Sequence, residues 1–519
     1  MAGGDGNLAD LVRRSAARRP DATALLHNGN RTTWSDLDAT VDAAASAFVS
    51  ELGLSTGDRV ALCLSNTPDY VTAYFGVLRA GLVVVPVNTG YTSREMTHLL
   101  GEADVRVVIA EEATLLAVRG AADTSHRAVL DEAGFRDLVA AGRSGGDVEP
   151  DAGGEDLAVL LFTSGTSGRP KGAMLSHRAL LANLEQCARI EPPPMRSDDV
   201  VLLVLPLFHI YGLNAGLGMV ALTGATAVLV ERFDPRETLE LVRRERVTNI
   251  PGAPPMYVAW AELAGGADPV DVAEALRDVR LLASGASPLP PAVLEQIRTG
   301  GGVSINEGYG LTETSPVVSS TLGSAEAKPG SVGRPIPGVE LRLVDESGED
   351  VQDDDAGEIW VRGDNVFSGY WPDGSGGPDE QGWYATGDVA YADEDGDLFL
   401  VGRRKELILV SGFNVYPREI EDAISEHPDV AESAVVGVAH EQTGEAVKAY
   451  VVARPGSGLT AEDVIAHTAE RLARFKQPTI VELVAELPHS VTGKVAKGRL
   501  RDADENSVDA GSDPGAAAP

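Results

Sequence analysis

The run of ten residues TSGTSGRPKG at positions 163–172 is the part of the chain best equipped for chemistry. Its glycines let backbone N–H groups converge without Cβ obstruction, while Thr163, Ser164, Thr166 and Ser167 supply hydroxyls and Lys171 a positive charge. Placed directly after the apolar run Leu157 to Phe162, with Gly165 and Gly168 among its first six residues, it predicts a cradle for phosphate groups. It is not a Walker loop, in which Ser or Thr follows the lysine, because Pro170 precedes Lys171 and Gly172 follows it. A second run, Gly142-Arg143-Ser144-Gly145-Gly146, matches the GxSxG pattern of hydrolase nucleophiles. Its setting is wrong, since it follows a helical stretch inside a Gly-rich acidic segment, whereas a nucleophile elbow needs a strand before it and a helix after it. No GxGxxG, HExxH or paired-Cys motif supports nicotinamide chemistry or a dedicated zinc site.

Hydrophobic patterning predicts the framework around the 163–172 run. Short Val- and Leu-rich runs (RVALCL, LVVVPV, VRVVIA, LAVLLFT, VVLLVLP, ATAVLV, RLLAS) alternate with amphipathic stretches such as Thr67 to Ala80 and Pro235 to Glu245. That alternation predicts an α/β fold with parallel strands and crossover helices through the first 400 or so residues. The body is expected as two α/β subdomains, joined by the exposed segment Ala141 to Gly154 and closed by a small β-rich subdomain that begins near Val339. After Gly402, a strand ELILV, a helix starting near Pro417, strands SAVVGVA and AVKAYVVA, and a helix from Thr460 to Leu472 predict a small α+β domain. The expected division is 1–402 for the large N-terminal domain, 403–500 for the small, mobile C-terminal domain and 501–519 for a disordered acidic tail.

Bulk properties narrow the function. At 519 residues, 43% hydrophobic and 23% charged, the chain can bury large cores. Acidic residues outnumber basic ones 78 to 43, a formal charge of -35 that disfavours nucleic acid and anionic membrane surfaces as partners. Two cysteines, Cys63 and Cys187, make neither a disulfide framework nor a zinc site and are expected as buried thiols. With no signal-peptide pattern at the start and no address sequence at the end, a cytoplasmic location is expected. Residues Val200 to Val230 carry no Asp, Glu, Lys or Arg, yet Pro206, His209, Tyr211, Asn214 and four glycines interrupt them. They are expected as two buried strands flanking a buried helix rather than a transmembrane segment.

Six motifs in order then resemble one family: TSGTSGRPKG at 163–172, PLFHIYG at 206–212, EGYGLTET at 307–314, WYATGD at 383–388, GRRKELILVSGFNVYP at 402–417 and PHSVTGK at 488–494. The chain is similar to the adenylate-forming acyl-CoA synthetases across roughly Asn7 to Leu500. The chain has only seven lysines, and Lys171, Lys405, Lys476 and Lys494 all fall in stretches that match this family.

The resemblance implies roles for individual residues. Thr163, Ser164, Gly165, Thr166, Ser167 and Lys171 would bind the ATP phosphates, with Thr163 also near the metal. Glu313 would bind Mg2+, a hard cation suited to carboxylate oxygen. Thr312 would meet the adenylate phosphate, Asp388 the ribose hydroxyls and Arg403 a position beside them. Gly285 and Ala286 would flank adenine, and Glu307, Gly308 and Tyr309 would complete the nucleotide site. His209, Tyr211, Asn214, Gly308 and Val317 would line the acyl pocket, and Lys405, Ser411, Gly412 and Phe413 the CoA path. Lys494 would be the catalytic lysine of adenylation, His209 would join it in the catalytic set as the gate of the acyl pocket, and Lys405 would be the pivot about which the domain of Lys494 swings. One departure stands out: Leu409 occupies a place where many relatives carry lysine.

The implied reaction is ATP-dependent activation of a carboxylic acid as acyl-AMP, then transfer to CoA, with ATP, Mg2+ and CoA as the small molecules. Phe208-His209 stands where amino-acid-activating relatives place an aspartate, which disfavours amino acids, and a largely apolar pocket expected near Tyr211, Asn214, Gly216 and Val317 makes a medium- or long-chain fatty acid the favoured substrate. An aryl-CoA ligase of the coumarate or benzoate type and a ligase that loads a carrier protein remain open, as do monomer and homodimer. A binding protein without catalysis is the reading from another class.

Overall fold

A computed structural model describes residues 6–122, 128–143, 148, 152–163, 170–265, 270–351, 355–411, 413–440, 443–489 and 495–501. The chain forms two compact units, one of residues 1–341 with 361–384 and one of 342–360 with 385–519.

The first unit holds two sheets made from the Val- and Leu-rich runs. One has six strands in the order Ala128–Asp131, Val105–Ala110, Arg59–Cys63, Val83–Pro86, Leu157–Thr163 and Lys171–Ser176. All pair in parallel except the last, which returns antiparallel to Leu157–Thr163. The other sheet orders Asn30–Thr33, Thr23–His27, Thr226–Leu229, Val200–Leu203, Asn249–Gly252, Leu281–Ser284, Ile305–Gly310, Val317–Ser320 and Ser331–Pro335. The run from Thr23–His27 to Ile305–Gly310 is parallel and buried on both faces, which is why its strands read as continuous apolar runs. Two crossover helices begin at side-chain caps. Thr67 accepts from the Tyr70 amide ahead of Pro68, and Asp234 accepts from the amides of Arg236 and Glu237 ahead of Pro235.

The stretch 200–230 has the expected strand, helix, strand order, with one difference: the helix opens as a π-helix, Tyr211–Gly218, before continuing as the α-helix Met219–Thr223. Among the described residues no helix is long and apolar enough to cross a membrane. Gly142 ends the helix Glu132–Gly142, where a side chain would strike the Ala43 carbonyl, so packing accounts for that glycine. Ser144, Gly145 and Gly146 lie outside the described residues, as does most of the expected linker.

The second unit begins earlier than the 402/403 boundary drawn from the sequence. Its strands Tyr384–Ala392 and Leu398–Arg403 form an antiparallel pair, and Glu358 binds both the Gly387 amide and the Arg404 guanidinium. These contacts tie 342–360 to 385–404, within the same unit as the C-terminal residues. This unit also holds a sheet ordered Phe413–Val415, Ile408–Val410, Gly444–Ala453 and Val430–His440, with Ile480–Val484 parallel to Gly444–Ala453. The helix Pro417–Ser425 starts where expected, and the helix after Thr460 runs Ala461–Ala469 under a Thr460/Asp463 capping box. Ile408, Val415, Ile420, Ile424, Val435, Val447, Val451 and Val464 form the core on one face of this sheet. Residues 502–519, nearly all of the expected tail, lie outside the described residues.

Candidate active site

In open α/β sheets ligands bind beyond the carboxyl ends of the strands. Four such ends carry expected site residues in the first unit. They are those of Leu157–Thr163, Val200–Leu203, Leu281–Ser284 and Ile305–Gly310, leading to Thr163, His209, Gly285 and Thr312.

Thr163 and Lys171 are opposite partners at the loop end of the hairpin that holds the phosphate run, so the two ends of that run are fixed even though 164–169 lie outside the described residues. A third segment braces that hairpin. The Met174 amide donates to the Gly369 carbonyl, Ser368 N–H to Met174 and Trp371 N–H to Gly172 at 2.8–3.0 Å. This places Tyr370 where its ring centroid is 5.1 Å from the Lys171 ammonium and its hydroxyl donates to Glu313 Oε1 at 2.5 Å. Lys171 and Glu313, 142 positions apart in sequence, thus meet around one phenol. Burial and the nearby Glu313 carboxylate push the Tyr370 hydroxyl far above its ordinary range, so it stays a donor.

The loop bearing Thr312 and Glu313 is held from several sides. Asn183 clamps Val317, donating to its carbonyl at 2.8 Å and accepting from its amide at 3.0 Å. Asn214 donates to the carbonyls of Ser315 and Leu180, and Asn365 to that of Thr314. Ser315 sits at φ +67°, a conformation that L-residues rarely adopt and that the surrounding ties enforce. Asn214 is fully buried, and its structural contact is to this loop.

Gly285, Tyr211 and Gly308 also come together. A Cβ at 285 would lie 3.1 Å from the Tyr211 ring and 3.7 Å from the Gly308 carbonyl oxygen. Ala286 has φ +71°, a strained backbone in the segment assigned to adenine. Glu307 and Tyr309 are buried, and the Glu307 amide donates to the Thr321 hydroxyl. His209 is half-buried at the entry to the π-helix, its Nδ1 accepting from the Tyr211 amide at 3.3 Å.

The remaining expected residues lie in the second unit. Asp388 and Arg403 are cross-strand partners with an ion pair of 3.0 Å. Lys405 is exposed in the short turn Arg404–Glu406. Ser411 has φ +53° and Phe413, 55% exposed, stacks on Phe475 at 4.7 Å. Lys476 is bound by both oxygens of Glu419 at 2.7 Å. Gly412 and Lys494 lie outside the described residues.

The AMP-binding enzyme model matches residues 12–371, more than half of the chain, and the AMP-binding enzyme C-terminal domain model matches 419–494. The chain belongs to the AMP-binding enzymes. This AMP-binding enzyme is 37% identical to a long-chain-fatty-acid–CoA ligase of Yersinia pestis, over 96% of its own length and 94% of the relative's. It is 35% identical to a methyl-dioxo-octahydro-indenyl propanoyl:CoA ligase of Mycobacterium tuberculosis, over 94% and 97% of the two chains. Its fold matches the crystal structure of ATP-bound MatB from Rhodopseudomonas palustris with a TM-score of 0.88, at 32% identity over 97% of this chain and 100% of the other.

Sequence reasoning missed Tyr370, Asn183 and Asn365. Each acts on residues distant in sequence, and no local pattern marks it.

Proposed function

We propose that this AMP-binding enzyme is an AMP-forming acyl-CoA synthetase that converts a medium- or long-chain fatty acid, ATP and CoA into acyl-CoA, AMP and pyrophosphate. The observation that carries the reading is the grouping of Lys171, Tyr370 and Glu313, a cation and a carboxylate of the kinds that binding a metal-bound triphosphate would call for. The name of the Yersinia pestis relative supports CoA and a fatty acid. Phe208-His209, in place of an aspartate, supports an acid without an α-amino group.

In the first step a carboxylate oxygen of the acid attacks the α-phosphorus of ATP in line, and the bond to the bridging oxygen breaks to release pyrophosphate. Lys171 offsets charge on the phosphates, and Lys494 is assigned to the oxygens that gain charge in the transition state. Glu313 fits a divalent cation, because a carboxylate oriented through one oxygen suits a hard cation through the other. Bound Mg2+ would neutralise phosphate charge. In the second step the CoA sulfur attacks the acyl carbon, its proton is lost, and AMP departs. Asp388 is assigned to the ribose, since a carboxylate accepts from two hydroxyls at once.

Lys405 is proposed as the pivot between the two steps. Lys405→Pro fixes φ there and is expected to leave acid-dependent pyrophosphate exchange within about threefold while slowing thioester formation at least about tenfold. Equal loss of both would remove Lys405 from that role.

The Mycobacterium tuberculosis relative, nearly as similar as the fatty-acid ligase, favours a second reading in which the acid carries a ring. Pyrophosphate release and product mass, measured with C2 to C18, aryl, dicarboxylic and amino acids with and without CoA, separate the two. Acyl-CoA from straight-chain acids upholds the main reading, and acyl-CoA from aryl acids alone replaces it. Pyrophosphate with no acyl-CoA makes a carrier protein the acceptor. No pyrophosphate with any of these acids means either a substrate outside the set or a binding protein without catalysis.

A further inference from the structure

Tyr370 makes two contacts through two different parts of its side chain. The hydroxyl donates to Glu313 and the ring face receives the Lys171 ammonium. The residue is fixed independently of both contacts, because residues 368–371 add to the edge of the hairpin through main-chain hydrogen bonds to Gly172 and Met174. Phe367 meets the Tyr370 ring edge-on at 5.1 Å, and the Tyr384 hydroxyl stands 3.4 Å from that of Tyr370. The other side of the contact is equally held, since the Phe367 amide donates to the Glu313 main-chain carbonyl at 2.9 Å.

An ammonium and a carboxylate left side by side without a nucleotide would pair, and binding would then have to break that pair. Here the ring takes the cation and the hydroxyl takes the anion. We propose that Tyr370 is a positioning residue that keeps Lys171 and Glu313 apart and orients each one, the lysine toward phosphate and the carboxylate toward the divalent cation that accompanies it. The proposal rests on the assignment of these two residues to a metal-bound triphosphate. It predicts that the two functions of Tyr370 separate by substitution. Tyr370→Phe keeps the ring and loses the hydroxyl, whereas Tyr370→Leu loses both.

The test is calorimetric titration of the full chain with α,β-methylene-ATP, which does not release pyrophosphate, once with EDTA and once across a Mg2+ series. With Tyr370→Phe, affinity in EDTA stays within about twofold of the parent, while the Mg2+ concentration for half-maximal tightening rises about tenfold or more, the usual effect of losing a group that orients a metal ligand. With Tyr370→Leu, affinity in EDTA also falls, by about twofold to fivefold, as loss of a partly exposed cation–π contact requires. A Mg2+ response of Tyr370→Phe equal to the parent's overturns the proposal. So does a Tyr370→Leu affinity in EDTA equal to the parent's. Proportionate losses with and without Mg2+ in Tyr370→Phe, together with a lower melting temperature, would make the residue structural only and would also overturn it. A parent chain that binds the analogue in neither condition defeats the nucleotide assignment itself, a result distinct from the variant outcomes.

Discussion

His177 shows how one buried side chain makes stability depend on pH. It is fully buried at the start of the helix His177–Ala188, and its Nδ1 accepts from the Leu8 amide at 3.0 Å, so the neutral ring carries its proton on Nε2. Burial pushes its pKa down from 6.5 to about 4, partly opposed by Asp156. Above pH 6.5 the ring is neutral in both states and its contribution is complete. As pH falls from 6.5 toward 4 the unfolded chain takes the proton first, so stability is lost across that window, on the order of 3 kcal/mol in all. His177→Asn keeps an acceptor near the Leu8 amide but does not titrate. Urea denaturation at pH 7 and pH 5 should show the parent losing about 2 kcal/mol more than the variant between the two. Equal losses would refute the assignment. The two cysteines obey the same physics, burial pushing Cys63 up to about 11 and Cys187 up to about 12, and so keep their thiols protonated, as their count in the sequence implied.

At the scale of elements, the π-helix Tyr211–Gly218 depends on its glycines. A Cβ on Gly212 would lie 2.5 Å from the Pro206 carbonyl oxygen and 2.8 Å from that of Leu205, main-chain atoms with little freedom to yield. Gly212→Ala should cost about 1–3 kcal/mol of stability. Gly101, in the helix Ser93–Glu102, has nothing within 4 Å of a would-be Cβ, and Gly101→Ala should be neutral or stabilising by up to about 1 kcal/mol. Thermal melting of both variants checks this, and similar shifts for the two would mean that the 206–212 turn relaxes around the added methyl. The same region marks the limit of what patterning reveals. The strands at the two ends of 200–230 were legible because continuous apolar runs are what strands buried on both faces require, and the helical stretches from Thr67 and Pro235 because an amphipathic period is local to the sequence. The π geometry was not, since widening a turn by one residue leaves no spacing of its own. The motif residues Thr163, Lys171 and Glu313 could be picked out by type and order, but Tyr370 lies 199 positions from Lys171 and 57 from Glu313. Only the folded strand edge brings them together. For the same reason 342–360 reads in sequence as part of the large body, because a strand's apolar pattern does not name its partner.

For the whole molecule the governing quantity is charge. An excess of 35 acidic residues has no basic residue to pair with, and at neutral pH the folded chain concentrates that charge more than the unfolded chain does. Two salt effects compete. Added salt weakens exposed ion pairs such as Arg298–Glu295 and Arg277–Glu274, which solvent already screens. Added salt also screens repulsion among the unpaired acids, and this term grows with the square of the net charge while the pair term grows only with their number. A buried cation such as Arg79, held between Asp38 and Asp42, is shielded from both. Repulsion should therefore win. Raising NaCl from 20 mM, where the Debye length is about 20 Å, to 500 mM, where it is about 4 Å, should raise the melting temperature at pH 7.5. KCl should match NaCl, because screening depends on ionic strength and not on the cation. A melting temperature that falls across the same range would mean that surface ion pairs outweigh the net charge. A rise specific to one cation would mean that the acidic surface binds that ion.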